Sequence, residues 1–159
     1  MDTEKHLSDL LSEFKTGMLI TRDGGSLHAR PMAVAGLSTG PDLYLATSIA
    51  TPKVQEVEAN PQVLLTFQAN NQFVSLEGQA RVNRDRTLID KLWSESWKVW
   101  FPGGKEDPEL CLLEIVPSGG EYWDNSGSNG VRYAIEGMKA LFTGQKPQTD
   151  AEQHAKVKL

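Results

Sequence analysis

The sequence has few of the residues that usually carry catalysis or bind metals: its 159 residues include one cysteine and three histidines. Cys111 excludes an intramolecular disulfide, and its apolar neighbours favour a buried packing role over a reactive thiol. The histidines, His6, His28 and His154, lack the spacing of metal ligands. There is no P-loop, CxxC pair or Ser-His-Asp grouping. We therefore expect any chemistry to be carried by a cofactor.

The sequence also lacks an excess of positive charge and a long apolar run. Its 16 Lys and Arg against 21 Asp and Glu leave a net charge of −5, which disfavours a nucleic-acid partner. No apolar run is long enough to span a bilayer, and residues 1–6 lack the basic and apolar regions of a signal peptide. We expect a cytoplasmic protein without a membrane partner.

Short runs with the alternation of strands dominate the chain. They predict strands over 18–23, 27–37, 43–47, 63–67, 73–84 and 109–116, with 121–124 also strand-like. Asn70-Asn71 predicts a hairpin turn, and Gly40-Pro41-Asp42 a second turn. The first three strands follow one another too closely for crossover helices, which favours antiparallel pairing. We predict a mainly β (α+β) domain in which six antiparallel strands close into a small barrel with peripheral helices.

Helical patterns lie at the margins of these strands. Apolar spacing predicts helices over 3–15, with Thr3 as the cap, and over 52–59, 86–99 and 133–142. The polar segment 144–159 is predicted to be a disordered tail, so the domain is expected to span 1–143.

The segment around Thr51-Pro52-Lys53 has the ingredients of a phosphate site. Thr51 can cap the helix and Pro52 suits its first position. Backbone N–H groups at a helix start attract an anion, and Lys53 adds a full positive charge there. Arg30, on a neighbouring strand, can close the site, and His28 shares its face. A capped helix with a solvated lysine explains the same residues.

Apolar residues, most of them tryptophans, recur at helical spacing before the pair Gly103-Gly104. Ile89, Trp93, Trp97 and Trp100 form this stripe, and Phe101 follows it. Such a stripe usually packs in a core or at a subunit contact. A second interpretation is a wall against which a flat aromatic ligand stacks. Trp123, at the end of the last strand, is by default a half-buried aromatic.

Several segments, in consistent order over about residues 7 to 125, resemble the FMN-binding split β-barrel superfamily of pyridoxamine 5′-phosphate oxidase-like proteins. The resemblance is strongest to its bacterial general stress protein branch. The matching segments are Thr16-Gly17-Met18-Leu19, His28-Ala29-Arg30-Pro31-Met32, Asp42-Leu43-Tyr44-Leu45-Ala46-Thr47, Thr51-Pro52-Lys53-Val54, Asn60-Pro61, Val74-Ser75-Leu76-Glu77-Gly78, Trp100-Phe101-Pro102-Gly103-Gly104-Lys105 and Tyr122-Trp123-Asp124.

The resemblance implies a homodimer that holds FMN between two six-stranded barrels. Arg30 and Lys53 would bind the phosphate, with the Thr51 hydroxyl beside them. Residues expected along the flavin ring and ribityl chain are Pro31 and Met32 in the strand 30–35, together with Ala46 and Thr47. Trp123 is expected to reach the cofactor of the partner subunit, and Ser75, Trp100 and Phe101 are weaker candidates.

The sequence departs from the true oxidases after Trp123-Asp124. Their Arg-x-His substrate signature is absent, and Val131-Arg132-Tyr133 echoes it only in part. We therefore expect a stress flavoprotein that acts as an FMN-dependent oxidoreductase on an unknown small substrate, not on vitamin B6. A flavin-binding or flavin-sensing protein without catalysis is the alternative, and the same fold could hold FAD, a deazaflavin or haem.

Overall fold

The computed structural model describes residues 2–37, 42–148 and 150–159, so most of the turn predicted at Gly40-Pro41-Asp42 lies outside the described residues. The α-helices are α1 (Thr3–Glu13), α2 (Pro52–Ala59), α3 (Arg86–Leu92) and α4 (Gly127–Thr143). The strands are β1 (Thr16–Asp23), β2 (Ser26–Leu37), β3 (Leu43–Ser48), β4 (Gln62–Ala69), β5 (Gln72–Asn83), β6 (Leu110–Asp124) and β7 (His154–Lys158). Short 3-10 helices span Glu95–Val99 and Gly104–Glu106.

Six strands close into an antiparallel barrel, as the sequence predicts. Their order is β3-β2-β1-β4-β5-β6, and pairing of β3 with β6 closes the ring. Leu43 to Ser48 on β3 pair with Ile115 to Leu110 on β6. The tight turn between β4 and β5 is also confirmed, because Asn70 and Asn71 both have positive φ angles, 49° and 63°.

The prediction of a disordered tail over 144–159 is wrong for residues 154–158, which form β7. This strand pairs with Gly119 to Trp123, the part of β6 that runs past β3 and would otherwise be an open edge. Val157 is buried there, and the Tyr122 hydroxyl donates to the Ala151 carbonyl. A five-residue strand with one buried apolar side chain is too short to produce a detectable apolar period.

The helix predicted over 86–99 is also wrong in its second half. The α-helix ends at Leu92, Trp93 has an extended ψ of 135°, and a 3-10 helix follows. Trp93 and Trp97 contact each other edge to face at 5.5 Å, whereas Trp100 is 77% exposed. Helix α1 also differs from its predicted start, because Asp2 caps it instead of Thr3 by accepting from the Lys5 N–H.

Two apolar clusters lie on opposite sides of the barrel wall. The larger one fills the barrel and includes the buried faces of α1 and α2. The smaller one covers the outside near α3 and contains Ile89, Trp97, Phe101, Leu110 and Leu112. In the described part of the chain, no helix combines the length and apolar character needed to cross a membrane.

Gly78 lies where β5 and β6 change register. The register shift falls between Glu77, which pairs with Gly119, and Gly78, which pairs with Pro117. A Cβ on Gly78 would lie 2.3 Å from the Val116 carbonyl oxygen and 2.7 Å from the Pro117 Cα. Both contacts are with backbone atoms, so the two strands would have to separate to make room.

We predict that Gly78→Ala destabilises the protein by about 1–3 kcal/mol, the usual cost of overpacking, with the clash against backbone favouring the upper end. Gly25→Ala is the control, because nothing lies within 4 Å of a Cβ at that position. Urea unfolding at neutral pH measures both variants. Equal stability of the two variants would contradict the tight strand approach at Gly78.

Candidate functional site

Polar side chains converge at the end of the barrel that α2 covers. In the β1–β2 pair, Leu19 lies opposite Arg30 and Thr21 lies opposite His28. Because side chains alternate along a strand, Thr21, His28 and Arg30 share the barrel face on which Leu19 is buried. Thr21 is also buried, although it is polar.

Glu56 of α2 accepts hydrogen bonds from this group. Its Oε2 lies 2.5 Å from the Thr21 hydroxyl and 2.9 Å from an Arg30 guanidinium nitrogen, and its Oε1 lies 2.9 Å from His28 Nδ1. The Thr21 and His28 hydrogen bonds, with a further contribution from Arg30, lower the pKa of Glu56 to about 2 against the opposing effect of burial. The buried carboxylate is therefore ionised and fully partnered at neutral pH.

Lys53 lies one turn before Glu56 on α2. Its ammonium donates to the Thr47 hydroxyl at 3.2 Å and makes no ion pair with a carboxylate in the described residues. Burial and the nearby Arg30 charge lower the pKa of Lys53. A partly buried cation held beside a second cation gains from the approach of an anion.

Thr51 occupies the N-cap position of α2, but its side chain does not cap the helix. The hydroxyl donates instead to the Ser48 carbonyl at 2.8 Å. The first N–H groups of α2 therefore have no side-chain acceptor from the cap residue.

This donor set fits a phosphate group. Arg30 and Lys53 supply two positive charges, of which Glu56 offsets one, and the Thr47 hydroxyl, which accepts from Lys53, keeps its own proton to donate. The Thr51 hydroxyl lies at the same end of the barrel, but its proton is bonded to the Ser48 carbonyl. Guanidinium, ammonium and hydroxyl groups are the usual donors to phosphate oxygens. Counted over Arg30, Lys53 and Glu56, the donor set therefore retains one net positive charge.

The other predicted residues lie in different surroundings. Pro31 is exposed, and Met32 is buried in the barrel core. Ala46, on the opposite face of β3 from Thr47, packs against the outer cluster that contains Phe101. Trp100, next to Phe101 in the sequence, does not belong to this cluster and is exposed.

Ser75, on β5, and Trp123, on β6, both lie near the end of β6 that is far from the candidate site. Thr47 pairs with Cys111, whereas Ser75 pairs with Glu121, ten residues further along β6. That separation is about 33 Å along an extended strand. Trp123 stacks on His154 of β7 with ring centroids 5.2 Å apart. A single chain therefore does not bring these two side chains to Lys53.

Sequence reasoning missed Thr21 and Glu56. A hydroxyl on the inward face after Leu19, and a glutamate between Val54 and Val57 on the buried side of α2, were the available signals. Both signals are weak, since nothing in the sequence shows that β1, β2 and α2 meet.

Comparison with known proteins identifies the family. A family model described as pyridoxamine 5′-phosphate oxidase like matches residues 2–148. The chain belongs to this family. General stress protein 26 of Bacillus subtilis, a relative, is 36% identical over 121 residues, which cover 73% of this chain and 84% of that protein.

Solved structures give the same fold for this oxidase-like chain. A protein described as general stress protein 26 from Jannaschia sp. CCS1 is 28% identical, covers 99% of both chains and has a TM-score of 0.77. The general stress FMN/FAD binding protein of Xanthomonas citri is also 28% identical, covers 79% of this chain and 89% of its own, and has a TM-score of 0.67.

We predict that Glu56→Gln lowers the free energy of unfolding at pH 7 by about 1.5–3 kcal/mol, because charge-assisted hydrogen bonds to the carboxylate are lost. The folded-state pKa of Glu56, about 2, lies below its ordinary value of 4.5. Its contribution is therefore present above pH 4.5 and is lost as the pH falls towards 2.

Urea unfolding at pH 7 and at steps down to pH 2.5 measures both effects. The variant should lose less stability than the wild type over the acid range. Glu58→Gln, at an exposed position on the same helix, is the control and should follow the wild type. Parallel acid curves for the wild type and Glu56→Gln would show that the Glu56 carboxylate is not the linked group.

Proposed function

We propose that this protein is an FMN-binding stress flavoprotein that acts as an oxidoreductase on a small substrate. The observation that carries the proposal is the placement of Arg30, Thr47 and Lys53 at one end of the barrel of an oxidase-like fold. The related Xanthomonas citri protein is described as binding FMN or FAD, and this description supports a flavin as the ligand.

The phosphate of FMN is the group that the donor set suits. Lys53 has no carboxylate partner within ion-pair distance among the described residues, and its pKa is lowered by burial and by Arg30. Because Glu56 already offsets Arg30, a phosphate group would offset the remaining charge of Lys53 and accept from both cations. Riboflavin, which lacks the phosphate, offers no such gain.

FMN, when bound, supplies hydride or electron transfer. The chain's own contribution is to hold and orient the cofactor. Arg30 and Lys53 would hold the phosphate, and the β3 backbone around Ala46 would lie along the remainder of the cofactor. The small outer cluster with Phe101 fixes the chain beside Ala46 and excludes water from that side of β3.

We further propose that two copies form a homodimer with the cofactor at their interface. Trp123 lies at the far end of β6 from Lys53, so a second copy is needed to bring such an aromatic side chain to the same ligand. Val99 and Trp100 are 76% and 77% exposed, and a subunit contact would cover them.

We predict that the flavin-free protein binds FMN at least tenfold more tightly than riboflavin. Lys53→Met and Arg30→Met should each weaken FMN binding about ten- to a hundredfold, the loss of one charge-assisted contact of about 1.5–3 kcal/mol. Riboflavin affinity should stay unchanged in Lys53→Met, because this substitution leaves the hydrogen bonds of Glu56 in place. Quenching of flavin fluorescence during titration gives all of these constants.

Lys91→Met, which removes an exposed lysine from α3, is the matched control and should bind FMN like the wild type. Equal affinities for FMN and riboflavin would refute the phosphate assignment.

The FMN-loaded protein is then mixed with NADPH or NADH without oxygen. Loss of flavin absorbance supports an oxidoreductase, whereas an unchanged spectrum favours a flavin-binding protein without catalysis.

We predict a dimer in sedimentation velocity, with twice the chain mass of 17.5 kDa, in the presence of FMN. Replacement of the exposed Trp100 by Ser should shift the equilibrium towards the monomer, because it removes apolar area from the proposed interface. Leu27→Ser, at another exposed apolar position, is the control. A wild type that remains monomeric with FMN bound would contradict the shared site.

A further inference from the structure

A second group of chemistry-bearing side chains lies beside the phosphate donors, at the tip of the β1–β2 hairpin. Asp23 ends β1, His28 lies near the start of β2, and Glu56 projects from α2. One ligand atom from each residue lies within 4.8 Å of the other two. Within the described residues this is the one such cluster of His, Cys, Asp and Glu.

The strand register explains why these side chains meet. Asp23 pairs with Ser26 and Thr21 pairs with His28, so Asp23 and His28 belong to one short hairpin. Asp23 follows Thr21 by two residues and therefore points to the same face as Thr21. That face is covered by Glu56, which bonds both Thr21 and His28.

The two oxygens of Glu56 have different partners. Oε2 accepts from Thr21 and Arg30, which hold the carboxylate in place. Oε1 faces His28 Nδ1 at 2.9 Å. Asp23 itself makes no ion pair with any residue that the structure describes. One anchored carboxylate, one imidazole and one uncompensated carboxylate thus have ligand atoms within 4.8 Å of one another.

We propose that Asp23, His28 and Glu56 bind a divalent transition-metal ion of the Zn²⁺ or Co²⁺ type. Ligands of a tetrahedral zinc ion lie about 3.4 Å apart, given bond lengths of about 2.1 Å. Binding requires the His28 Nδ1–Glu56 Oε1 distance to open from 2.9 Å and Asp23 to approach the ion. Asp23 and His28 are both exposed and can adjust, while Thr21 and Arg30 keep Glu56 in place.

The class of metal follows from the donors. An imidazole nitrogen favours zinc, cobalt, nickel or copper over magnesium and calcium, which prefer oxygen ligands. In the metal-bound form, Nδ1 of His28 donates its lone pair to the ion and the ring proton lies on Nε2. The metal–nitrogen bond then replaces the hydrogen bond between His28 and Glu56.

Three protein ligands leave one coordination position of the ion open. A cavity of about 520 Å³ lies directly beside the cluster, with Asp23 and Glu56 in its wall together with Gln55 and Asn60. Water or a small anionic ligand has room to complete the coordination there. The site is thus of the open type rather than a closed structural one.

Titration of tag-free, flavin-free protein with CoCl₂ and ZnCl₂ tests this assignment. We expect one equivalent of Co²⁺ to produce visible d–d absorption and one equivalent of Zn²⁺ to displace it. Asp23→Asn and His28→Gln should each weaken binding at least tenfold. A large excess of Mg²⁺ should not compete.

His154→Gln is the matched control, because His154 also lies beside a carboxylate, Glu121 Oε1 at 2.7 Å, without belonging to a three-residue cluster. It should bind Co²⁺ like the wild type. Circular-dichroism spectra of all variants in EDTA that match the wild type show that the substitutions leave the fold intact. Absence of binding at 1 mM metal, competition by Mg²⁺, or equal loss in His154→Gln would each overturn the proposal.

Discussion

The buried carboxylate of Glu56 determines how the functional end of the barrel is arranged. A buried charge is costly unless it is paired, and Glu56 meets donors from two strands, Thr21 on β1 and Arg30 and His28 on β2. These contacts fix α2 on the barrel end more specifically than the burial of Val54 and Val57 alone, since apolar contacts are not directional. Lys53, one turn away, is thereby placed against Thr47.

The same arrangement brings two cations close together, and this closeness is electrostatically unfavourable. Arg30 is compensated by Glu56, whereas Lys53 keeps an ammonium group whose pKa is lowered by burial and by Arg30. Unfavourable charge proximity of this kind is frequent where a protein awaits a ligand of opposite charge. The polar network thus connects the stability of the fold with the proposed recognition of phosphate.

Strand β6 links the two ends of the molecule. Its first half closes the barrel against β3, and its second half runs past β3 and pairs with β7. Because of this length, Trp123 lies far from Lys53 within one chain, which is the physical basis for proposing a shared interface. The same edge explains why the polar C-terminal segment becomes a strand, since unpaired backbone groups on β6 need partners.

Features with a local cause could be predicted from the sequence by itself. Pro52 and Asn60-Pro61 determined the bounds of α2, the pair Asn70-Asn71 determined the hairpin turn, and strand alternation determined the barrel class. Only the tertiary structure decided the break after Leu92, the strand β7 and the partners of Arg30. The reason is that these features depend on contacts between distant segments: Glu56 lies 26 residues from Arg30, and β7 forms on an edge that exists only once the barrel has closed.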